Sequence, residues 1–408
     1  MADSSAAPFV VFSDDWGEHP SSCQHLFAQL LPAHPVLWVN TVGMRTPTLS
    51  PADFRKAWRK LSRMIHRGGG EAAAQESERA RSAVSAAPAR TSAPRVCQPL
   101  MLPFNRLRAV RRANEISVTG RVRRACREMG IEAPVVVSSV PNACDYVSRL
   151  EGSRVVYYCV DDFAQWPGLD HGLVRSMEAQ LIARADVLIA TSQHLYRTLC
   201  ASGKPTHLLT HGVDLELFAR VADREHECLA GIPSPRVGYF GLFDERSDQR
   251  LLAELAGSLP ELAFVITGPV AVDVSALRQR PNVYFTGPVA YRRLPELIRG
   301  LDVLALPYVV NELSRSISPL KLKEYLATGK PVISTPIAEA VLQKGSVRLA
   351  ATLEEWRSAV RESLSVDVAA RRQALGAMLA RESWAQKASD FLALCQAREA
   401  DLAAVTAA

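Results

Sequence analysis

Lys321 and Glu324 are the two charged side chains whose spacing points most directly to chemistry. They lie three residues apart in a stretch that the sequence predicts to be a helix over 319–328. Ser318 can cap this helix, and Pro319 suits its first position because a helix leaves its first N–H groups unpaired anyway. Residues about one turn apart share a helix face, so the lysine and the glutamate are expected to address the same ligand.

The amino end of this predicted helix suits a diphosphate. Unpaired backbone N–H groups and the helix dipole favour negative charge there, and Lys321 adds a full positive charge in the first turn. Glu324, one turn later, can accept hydrogen bonds from both hydroxyls of a ribose. The sequence therefore predicts a site for a diphosphate and a ribose on Ser318, Pro319, Leu320, Lys321 and Glu324.

Two glycine turns follow predicted strands in the same part of the chain. Gly241 ends the stretch 236–241, and Gly287 follows the strand 283–286. Glycine at such a turn lets the backbone approach a phosphate closely, and Arg246 stands near enough in sequence to add charge. Taken alone, each glycine is better explained as an ordinary strand-to-helix turn. Their order and spacing relative to the predicted helix favour a shared binding site.

Two adjacent carboxylates, Asp161 and Asp162, close the predicted strand 155–160. A carboxylate at a strand end can take a proton from a hydroxyl, and a like-charged neighbour raises one pKa towards working pH. Asp162 is our first choice for this general base and Asp161 the second. In the structural alternative, one aspartate caps the following helix and the other pairs with a basic residue.

Three other side chains follow predicted strands and are candidates for contact with an acceptor substrate. Asp15 and Trp16 close the first strand, and His211 follows a later one. An ordinary turn and a structural histidine are the equal alternatives. No cluster of residues has the spacing of metal ligands, so we expect no bound metal.

Strands alternate with helices through both halves of the chain, which predicts parallel sheets covered by helices. We predict an α/β protein with two Rossmann-like domains that face a cleft, because ligands bind at the carboxyl ends of such strands. The first domain spans 1–225 and contains a loop without regular structure at 68–95. The second spans 226–382, and 383–408 forms a helix that packs back across the domains.

Composition limits the location and partners of the protein. The 408 residues include eight scattered cysteines, with no Cys-x-x-Cys pair and no long uncharged apolar run, so we expect a cytosolic protein with reduced thiols. Residues 45–127 hold 19 basic side chains against 5 acidic ones. This stretch includes an amphipathic basic helix predicted at 52–67 and a second basic helix predicted at 106–129, both suited to phosphate on a lipid surface. A solvated basic face is the alternative.

The segment 319–332 resembles the donor-site helix of GT-B glycosyltransferases. The shared pattern is Pro-Leu-Lys-x-x-Glu-Tyr-Leu-Ala-x-Gly-Lys-Pro-Val, and the likeness covers about residues 130–340. It is similar to the glycogen-synthase-like and bacterial cell-surface polysaccharide groups, in particular the teichuronic acid glycosyltransferases. One departure stands out: many relatives carry two glutamates eight residues apart, and the first position is Ser316 here. This puts the usual retaining mechanism in doubt, and Glu312 is a possible partial substitute.

The resemblance implies a GT-B fold and a nucleotide-sugar-dependent transferase. The donor would be a nucleoside-diphosphate sugar with uridine as the base, and it would be a substrate, with no cofactor. The acceptor would be a hydroxyl of a cell-surface glycan or of a polyprenyl-linked lipid, reached by peripheral contact with an anionic membrane. No nucleic-acid-binding motif is present. Two alternatives remain open: a sugar-nucleotide epimerase on the same fold, and a degenerate, non-catalytic homologue.

Overall fold

The computed structural model divides the chain into two compact units. Unit 1 comprises residues 1–210 and 388–408, and unit 2 comprises residues 211–387. The residues described are 6–17, 21–41, 93–150, 154–166 and 168–397. The predicted helix 52–67 and most of the predicted loop 68–95 lie outside these ranges.

Unit 1 is built on a seven-stranded parallel sheet. Its strands are β1 (Phe9–Ser13), β2 (Val36–Asn40), β3 (Arg95–Cys97), β4 (Val135–Ser138), β5 (Val155–Cys159), β6 (Val187–Ala190) and β7 (Thr206–Leu208). Their order is β3-β2-β1-β4-β5-β6-β7. Every residue of β1, β2, β5 and β6 is buried, as expected for a parallel sheet covered on both faces.

Four helices belong to the described part of unit 1 before the chain crosses to unit 2. They are α1 (Ser22–Leu30), α2 (Arg108–Met129), α3 (His171–Arg184) and α4 (Gln193–Cys200). Ser21 caps α1 by accepting a hydrogen bond from the Gln24 amide. The predicted loop 68–95 extends too far, because Arg95 already belongs to β3. Val96 of this strand pairs with Trp38 of β2.

Unit 2 has the strand order of a doubly wound dinucleotide-binding fold. Its strands are β8 (Arg236–Phe240), β9 (Ala263–Thr267), β10 (Val283–Gly287), β11 (Val303–Leu306), β12 (Val332–Ser334) and β13 (Arg348–Leu349). The order β10-β9-β8-β11-β12-β13 is parallel throughout and reverses between β8 and β11. Ligands of such sheets bind outside the carboxyl ends of the strands at this reversal.

Short helices connect the strands of unit 2. They are α5 (Leu215–Phe218), α6 (Gln249–Ser258), α7 (Ser275–Arg278), α8 (Leu294–Arg299), α9 (Glu312–Ser316), α10 (Leu320–Ala327), α11 (Ala338–Leu342), α12 (Leu353–Ser363), α13 (Val368–Ala380) and α14 (Trp384–Gln396). Among them α10 carries the predicted lysine and glutamate, and it precedes β12.

The division between units falls at 210/211, earlier than the predicted boundary at 225/226. The physical reason is burial: Val213 and Phe218, which lie before the predicted boundary, join the hydrophobic core of unit 2. At the other end, α14 begins in unit 2 and its residues from Ala388 onward belong to unit 1.

Packing explains why the end of the chain belongs to unit 1. Phe391 of α14 is fully buried, and its ring packs edge-on against Phe27, with centroids 5.7 Å apart, and against Tyr158, with centroids 5.6 Å apart. No helix in the described ranges is long and apolar enough to cross a bilayer.

Candidate functional site

Three glycines form a bare stretch of backbone at the carboxyl edge of the unit 2 sheet. Gly241 follows β8, Gly268 follows β9, and Gly287 ends β10, with φ values of +116°, +135° and +74°. The Gly241 amide donates to the Thr267 carbonyl at 2.9 Å, and the Gly268 amide donates to the Gly287 carbonyl at 2.9 Å. A Cβ on Gly268 would lie 2.1 Å from the Gly241 carbonyl oxygen. The close approach of these turns therefore requires glycine at Gly268.

Lys321 of α10 lies directly against the first of these turns. A Cβ on Gly241 would lie 2.3 Å from the Lys321 Cε atom, so the glycine makes room for the lysine side chain. The Lys321 ammonium donates to the Leu242 carbonyl at 2.9 Å and to the hydroxyls of Tyr239 and Tyr308. It also lies 4.4 Å from the centroid of the Tyr239 ring, a cation–π contact.

The partners of this ammonium leave its charge available to a ligand. All three hydrogen-bond acceptors are uncharged oxygens, and burial lowers the pKa of Lys321. A partly buried cation bonded to neutral oxygens gains from an incoming anion, because the anion offsets its desolvation. The arrangement suits a phosphate group at Gly241.

Arg246 brings a second cation to the same place. Its guanidinium forms an ion pair with the Asp244 carboxylate at 2.6 Å and lies 5.8 Å from the centroid of the Tyr308 ring. The Lys321 ammonium lies 5.7 Å from the same centroid. The Val309 amide donates to the Arg246 carbonyl at 2.8 Å, which joins the loops after β8 and β11. The two cations thus gather where the strand order reverses.

The start of α10 corrects two predictions. The helix begins at Leu320, Pro319 occupies the N-cap position, and no side chain caps the helix, so Ser318 is not the cap. The Pro319 carbonyl accepts from the Leu322 amide at 3.0 Å, whereas proline has no side-chain oxygen with which to cap. The amides of Leu320 and Lys321 come too early for bonds within the helix, and they suit an anion.

Tyr325 fixes the distance between α10 and the glycine turn. Its buried hydroxyl accepts a hydrogen bond from the Phe240 amide at 2.9 Å and donates one to the Phe240 carbonyl at 3.2 Å. Phe240 is the residue before Gly241, so one side chain of the helix holds the end of β8. This tie keeps Lys321 and Gly241 in contact.

Glu324 lies on α10 close to Lys321 and is held by a tyrosine from another element. The Tyr291 hydroxyl donates to its Oε1 atom at 3.1 Å. Burial raises the pKa of Glu324 to about 7, against the lowering effects of Tyr291 and Lys321, and Asp214 raises it further. The carboxyl group is therefore near its midpoint of ionisation at neutral pH.

His211 lies at a buried turn that α10 also supports. Its carbonyl accepts from the Lys323 ammonium at 2.5 Å, and Lys323 pairs with Glu382. Gly212 follows, and a Cβ there would lie 2.6 Å from the Trp384 ring, so the turn is tightly packed. These contacts support a structural role for the His211 backbone, while the prediction that the residue contacts an acceptor stays a prediction.

The position where relatives carry the first glutamate is buried here. Ser316 ends α9 with 1% of its surface exposed, and its hydroxyl donates to the Leu313 carbonyl at 2.9 Å. Glu312 lies at the start of the same helix and forms an exposed ion pair with Arg315 at 2.5 Å. A glutamate at Ser316 would have to enter packed protein.

In unit 1, the candidate base lies at the end of β5. The Asp162 carboxylate accepts from the Ala164 amide at 3.2 Å and caps the 3₁₀ turn Phe163–Gln165, while Asp161 accepts from the Asp162 amide at 2.9 Å. Both residues are partly exposed. Asp162 therefore caps the following turn, as in the structural alternative. Its carboxylate is still partly accessible and can take a proton.

A third carboxyl group lies beside this pair and was not predicted. Glu178 of α3 accepts a hydrogen bond from the Tyr157 hydroxyl at 2.6 Å, and burial raises its pKa, an effect to which Asp162 adds. Glu178 lies in the middle of a helix with weak apolar periodicity, so no sequence pattern indicates this contact.

Asp15 and Trp16 belong to a well-ordered turn after β1. The Asp14 carboxylate accepts from Ser21 at 3.0 Å and from Gln24 at 2.6 Å, while the Trp16 amide donates to Asn40 at 3.1 Å. The Trp16 ring packs edge-on against Trp38, with centroids 4.7 Å apart. The turn thus follows β1 at the carboxyl edge of the sheet, and contact of Asp15 and Trp16 with an acceptor stays a prediction.

Sequence reasoning missed several side chains of the unit 2 site. Gly268 had a usable signal, since it follows a predicted strand just as Gly241 and Gly287 do. The residues without such a signal are bulky or charged ones whose role appears only in contacts: Tyr239, Asp244, Tyr291, Tyr308 and Tyr325. Within the described ranges, no three His, Cys, Asp or Glu side chains are arranged to hold a metal ion.

Gly268→Ala should destabilise unit 2 by about 1–3 kcal/mol, because alanine at φ +135° is strained and its Cβ meets the Gly241 carbonyl. The measurement is chemical denaturation. The control is Gly376→Ala in α13, where a Cβ meets nothing within 4 Å and should stabilise by about 0.5–1 kcal/mol. Equal stability of Gly268→Ala and the unchanged protein would contradict the packing described for the three turns.

This part of the chain matches a known protein family. Residues 234–365 match the family described as glycosyl transferases group 1. This range contains the three glycine turns, both cations and the whole of α10.

Two curated proteins of Bacillus subtilis (strain 168) are similar in sequence. One is TuaH, named for a glycosyltransferase role in teichuronic acid biosynthesis, which is 32% identical over 172 residues, or 40% of this chain and 43% of TuaH. The other is EpsF, also named as a glycosyltransferase, which is 31% identical over 181 residues, or 40% of this chain and 45% of EpsF. The chain thus spans less than half the length of the curated relatives it matches.

A solved structure is similar over nearly the whole fold. HepE from Anabaena, solved in complex with UDP and glucose, superposes with a TM-score of 0.62 at 14% identity, covering 95% of this chain and 98% of HepE. The chain therefore shares the fold of HepE, and its residues 234–365 are similar in sequence to glycosyl transferases group 1.

Proposed function

We propose that this protein transfers a sugar from a UDP-sugar to a hydroxyl group of a cell-surface glycan or a lipid-linked acceptor. The single observation that best supports the proposal is the Lys321 ammonium, packed against the Gly241 turn at the uncapped start of α10. HepE, with the same fold, was solved with UDP and glucose, which supports uridine as the base. The name of TuaH supports a cell-envelope polysaccharide as the product.

The donor site would act on the leaving group. When the bond between the anomeric carbon and the diphosphate breaks, negative charge grows on the phosphate oxygens. Lys321, Arg246 and the first amides of α10 are positioned before reaction, so they stabilise this charge without reorganisation. We expect the nucleotide sugar to be a substrate and no resident cofactor or metal to be needed.

The acceptor hydroxyl needs a base, and we assign this role to Asp162, with Asp161 as the second candidate. The partly exposed carboxylate at the end of β5 supports this assignment. The buried Glu178 lies close enough to Asp162 that the aspartate helps to raise the pKa of Glu178. Neither the family match nor the names of the relatives support the epimerase alternative.

We also propose that unit 1 contacts an anionic membrane at the cytoplasmic face. Large apolar side chains are exposed between β3 and the middle of α2, namely Val96, Leu100, Leu102, Phe104, Leu107 and Ile116. Arginines neighbour them along the chain, and residues 95–127 contain nine arginines and one acidic residue. Exposed apolar side chains among cations match the interface of an anionic bilayer.

Lys321→Met should weaken UDP binding by about ten- to a hundredfold, because it removes a charge-assisted contact with the diphosphate. Isothermal titration with UDP measures the effect, and Lys344→Met, an exposed lysine of the same unit, is the control. Unchanged UDP affinity in Lys321→Met would refute the donor site.

Asp162→Asn should lower turnover by about 10²–10⁴-fold while UDP affinity stays the same. Asparagine also caps helices well, so the 3₁₀ turn should persist. Asp170→Asn, which changes the cap of α3, is the matched control. Acceptor-dependent release of UDP is the assay. Wild-type turnover in both Asp162→Asn and Asp161→Asn would show that neither aspartate is the base.

The protein should sediment with vesicles that contain anionic lipid, and less so at high salt, because exposed charges are screened. Replacing Leu102 and Leu107 together by glutamate should abolish sedimentation, whereas Val366→Glu, an exposed valine of unit 2, should not. Sedimentation that ignores both lipid charge and the double substitution would count against the membrane contact.

A further inference from the structure

Tyr291 makes a contact that the transfer reaction, as described so far, does not use. Its hydroxyl donates to the Oε1 atom of Glu324 at 3.1 Å, from the 3₁₀ turn Tyr291–Arg293 that follows Gly287. The tyrosine and the glutamate are therefore brought together by two different elements, one after β10 and one before β12.

Packing fixes the direction of the Tyr291 hydroxyl. The tyrosine ring packs edge-on against Phe218, with centroids 5.6 Å apart and planes at 84°. Phe218 is itself buried and stacks on Phe240 at 6.2 Å. A ring held in this way has little freedom, so the hydroxyl is a fixed donor and Glu324 is the group that adjusts.

A carboxylate with one fixed hydrogen bond still has capacity to accept others. Two oxygens provide about four acceptor positions, and Tyr291 occupies one of them on Oε1. A ribose presents two neighbouring hydroxyl donors, which match a carboxylate of set orientation.

We propose that Tyr291 is a positioning residue for donor recognition: its hydroxyl orients the Glu324 carboxylate to accept the ribose hydroxyls, so that the site selects ribonucleotides over deoxyribonucleotides. This inference rests on the proposed function and identifies how its donor site recognises the sugar of the nucleoside.

Three charged or titratable groups act on Glu324 from the elements around it. Tyr291 from the 3₁₀ turn and Lys321 from α10 itself favour the carboxylate, whereas Asp214, the N-cap of α5, opposes it. Burial is the largest effect and raises the pKa of Glu324 to about 7. Removing the Tyr291 hydroxyl takes away one of the two favourable contacts, so the carboxylate form is lost at a higher pH than before.

The test compares UDP with 2′-deoxy-UDP and 3′-deoxy-UDP by isothermal titration. The unchanged protein should prefer UDP over at least one deoxy analogue by about tenfold or more, the usual effect of losing a hydrogen bond to a charged group. Tyr291→Phe should reduce this preference several-fold while the affinity for the deoxy analogue stays nearly constant. Glu324→Gln should also weaken the preference for UDP. The double variant with Tyr291→Phe and Glu324→Gln should show nearly the same preference as Glu324→Gln alone.

The control is Tyr284→Phe, which removes a hydroxyl from the neighbouring strand β10 and should leave the preference intact. Phenylalanine keeps the ring of Tyr291, so its packing on Phe218 should survive, and thermal unfolding checks this.

A pH series separates positioning from packing. UDP affinity should rise with pH through about 7, as Glu324 becomes a carboxylate, and Tyr291→Phe should move the midpoint to higher pH. Glu324→Gln should lack this transition and thereby report the titration of UDP itself.

Two failures are distinguishable. If Tyr291→Phe keeps both the preference for UDP and the pH midpoint of the unchanged protein, Tyr291 only packs and the inference is wrong while the donor site stands. If the unchanged protein binds neither UDP nor its analogues, the proposed function itself fails.

Discussion

The contact between Lys321 and the Gly241 turn is the constraint on which the proposed donor site depends. An ammonium group can be held this close to a strand end only if that end carries no side chain, and a Cβ on Gly241 would lie 2.3 Å from the lysine chain. The hydrogen-bond acceptors of the Lys321 ammonium are uncharged oxygens, so its positive charge can still attract an anionic ligand. Because Gly268 has no side chain, the turn after β9 can approach Gly241 closely.

Each of several side chains of helix α10 makes a different contact. Lys321 faces the glycine turn, Glu324 faces Tyr291, and Tyr325 holds the end of β8 through two hydrogen bonds. Lys323 holds the His211 turn and Glu382 on another side. Because one short helix makes all of these contacts, the spacing of cation and carboxylate is fixed relative to the sheet. The strand order reverses between β8 and β11, the position at which ligands of such sheets bind.

The sequence predicts those parts of this arrangement that depend on residue types within one short segment. Buried apolar runs predicted strands, and the predicted strand 283–286 lies within β10. The lysine and glutamate of α10 followed from helical spacing. Ser318 failed as a cap because a serine before proline predicts a cap only if the helix starts at that proline, and tertiary packing starts it one residue later. The helix α12 was missed although Thr352 and Glu355 form a capping box.

Other features lie beyond sequence reasoning because they are contacts between distant elements. Tyr291 and Glu324 are 33 residues apart, and Tyr239 and Lys321 are 82 apart, so no local pattern links them. The predicted division between the units comes too late in the chain, because Val213 and Phe218 pack into the core of unit 2 and no local pattern reveals that packing.

A crystal structure of the protein soaked or grown with UDP tests the proposed donor site most directly. We predict that a phosphate of UDP lies within hydrogen-bonding distance of the Lys321 ammonium and of the first amides of α10, with the ribose hydroxyls on Glu324. A nucleotide bound elsewhere, with Lys321 still bonded only to Tyr239, Leu242 and Tyr308, would contradict it.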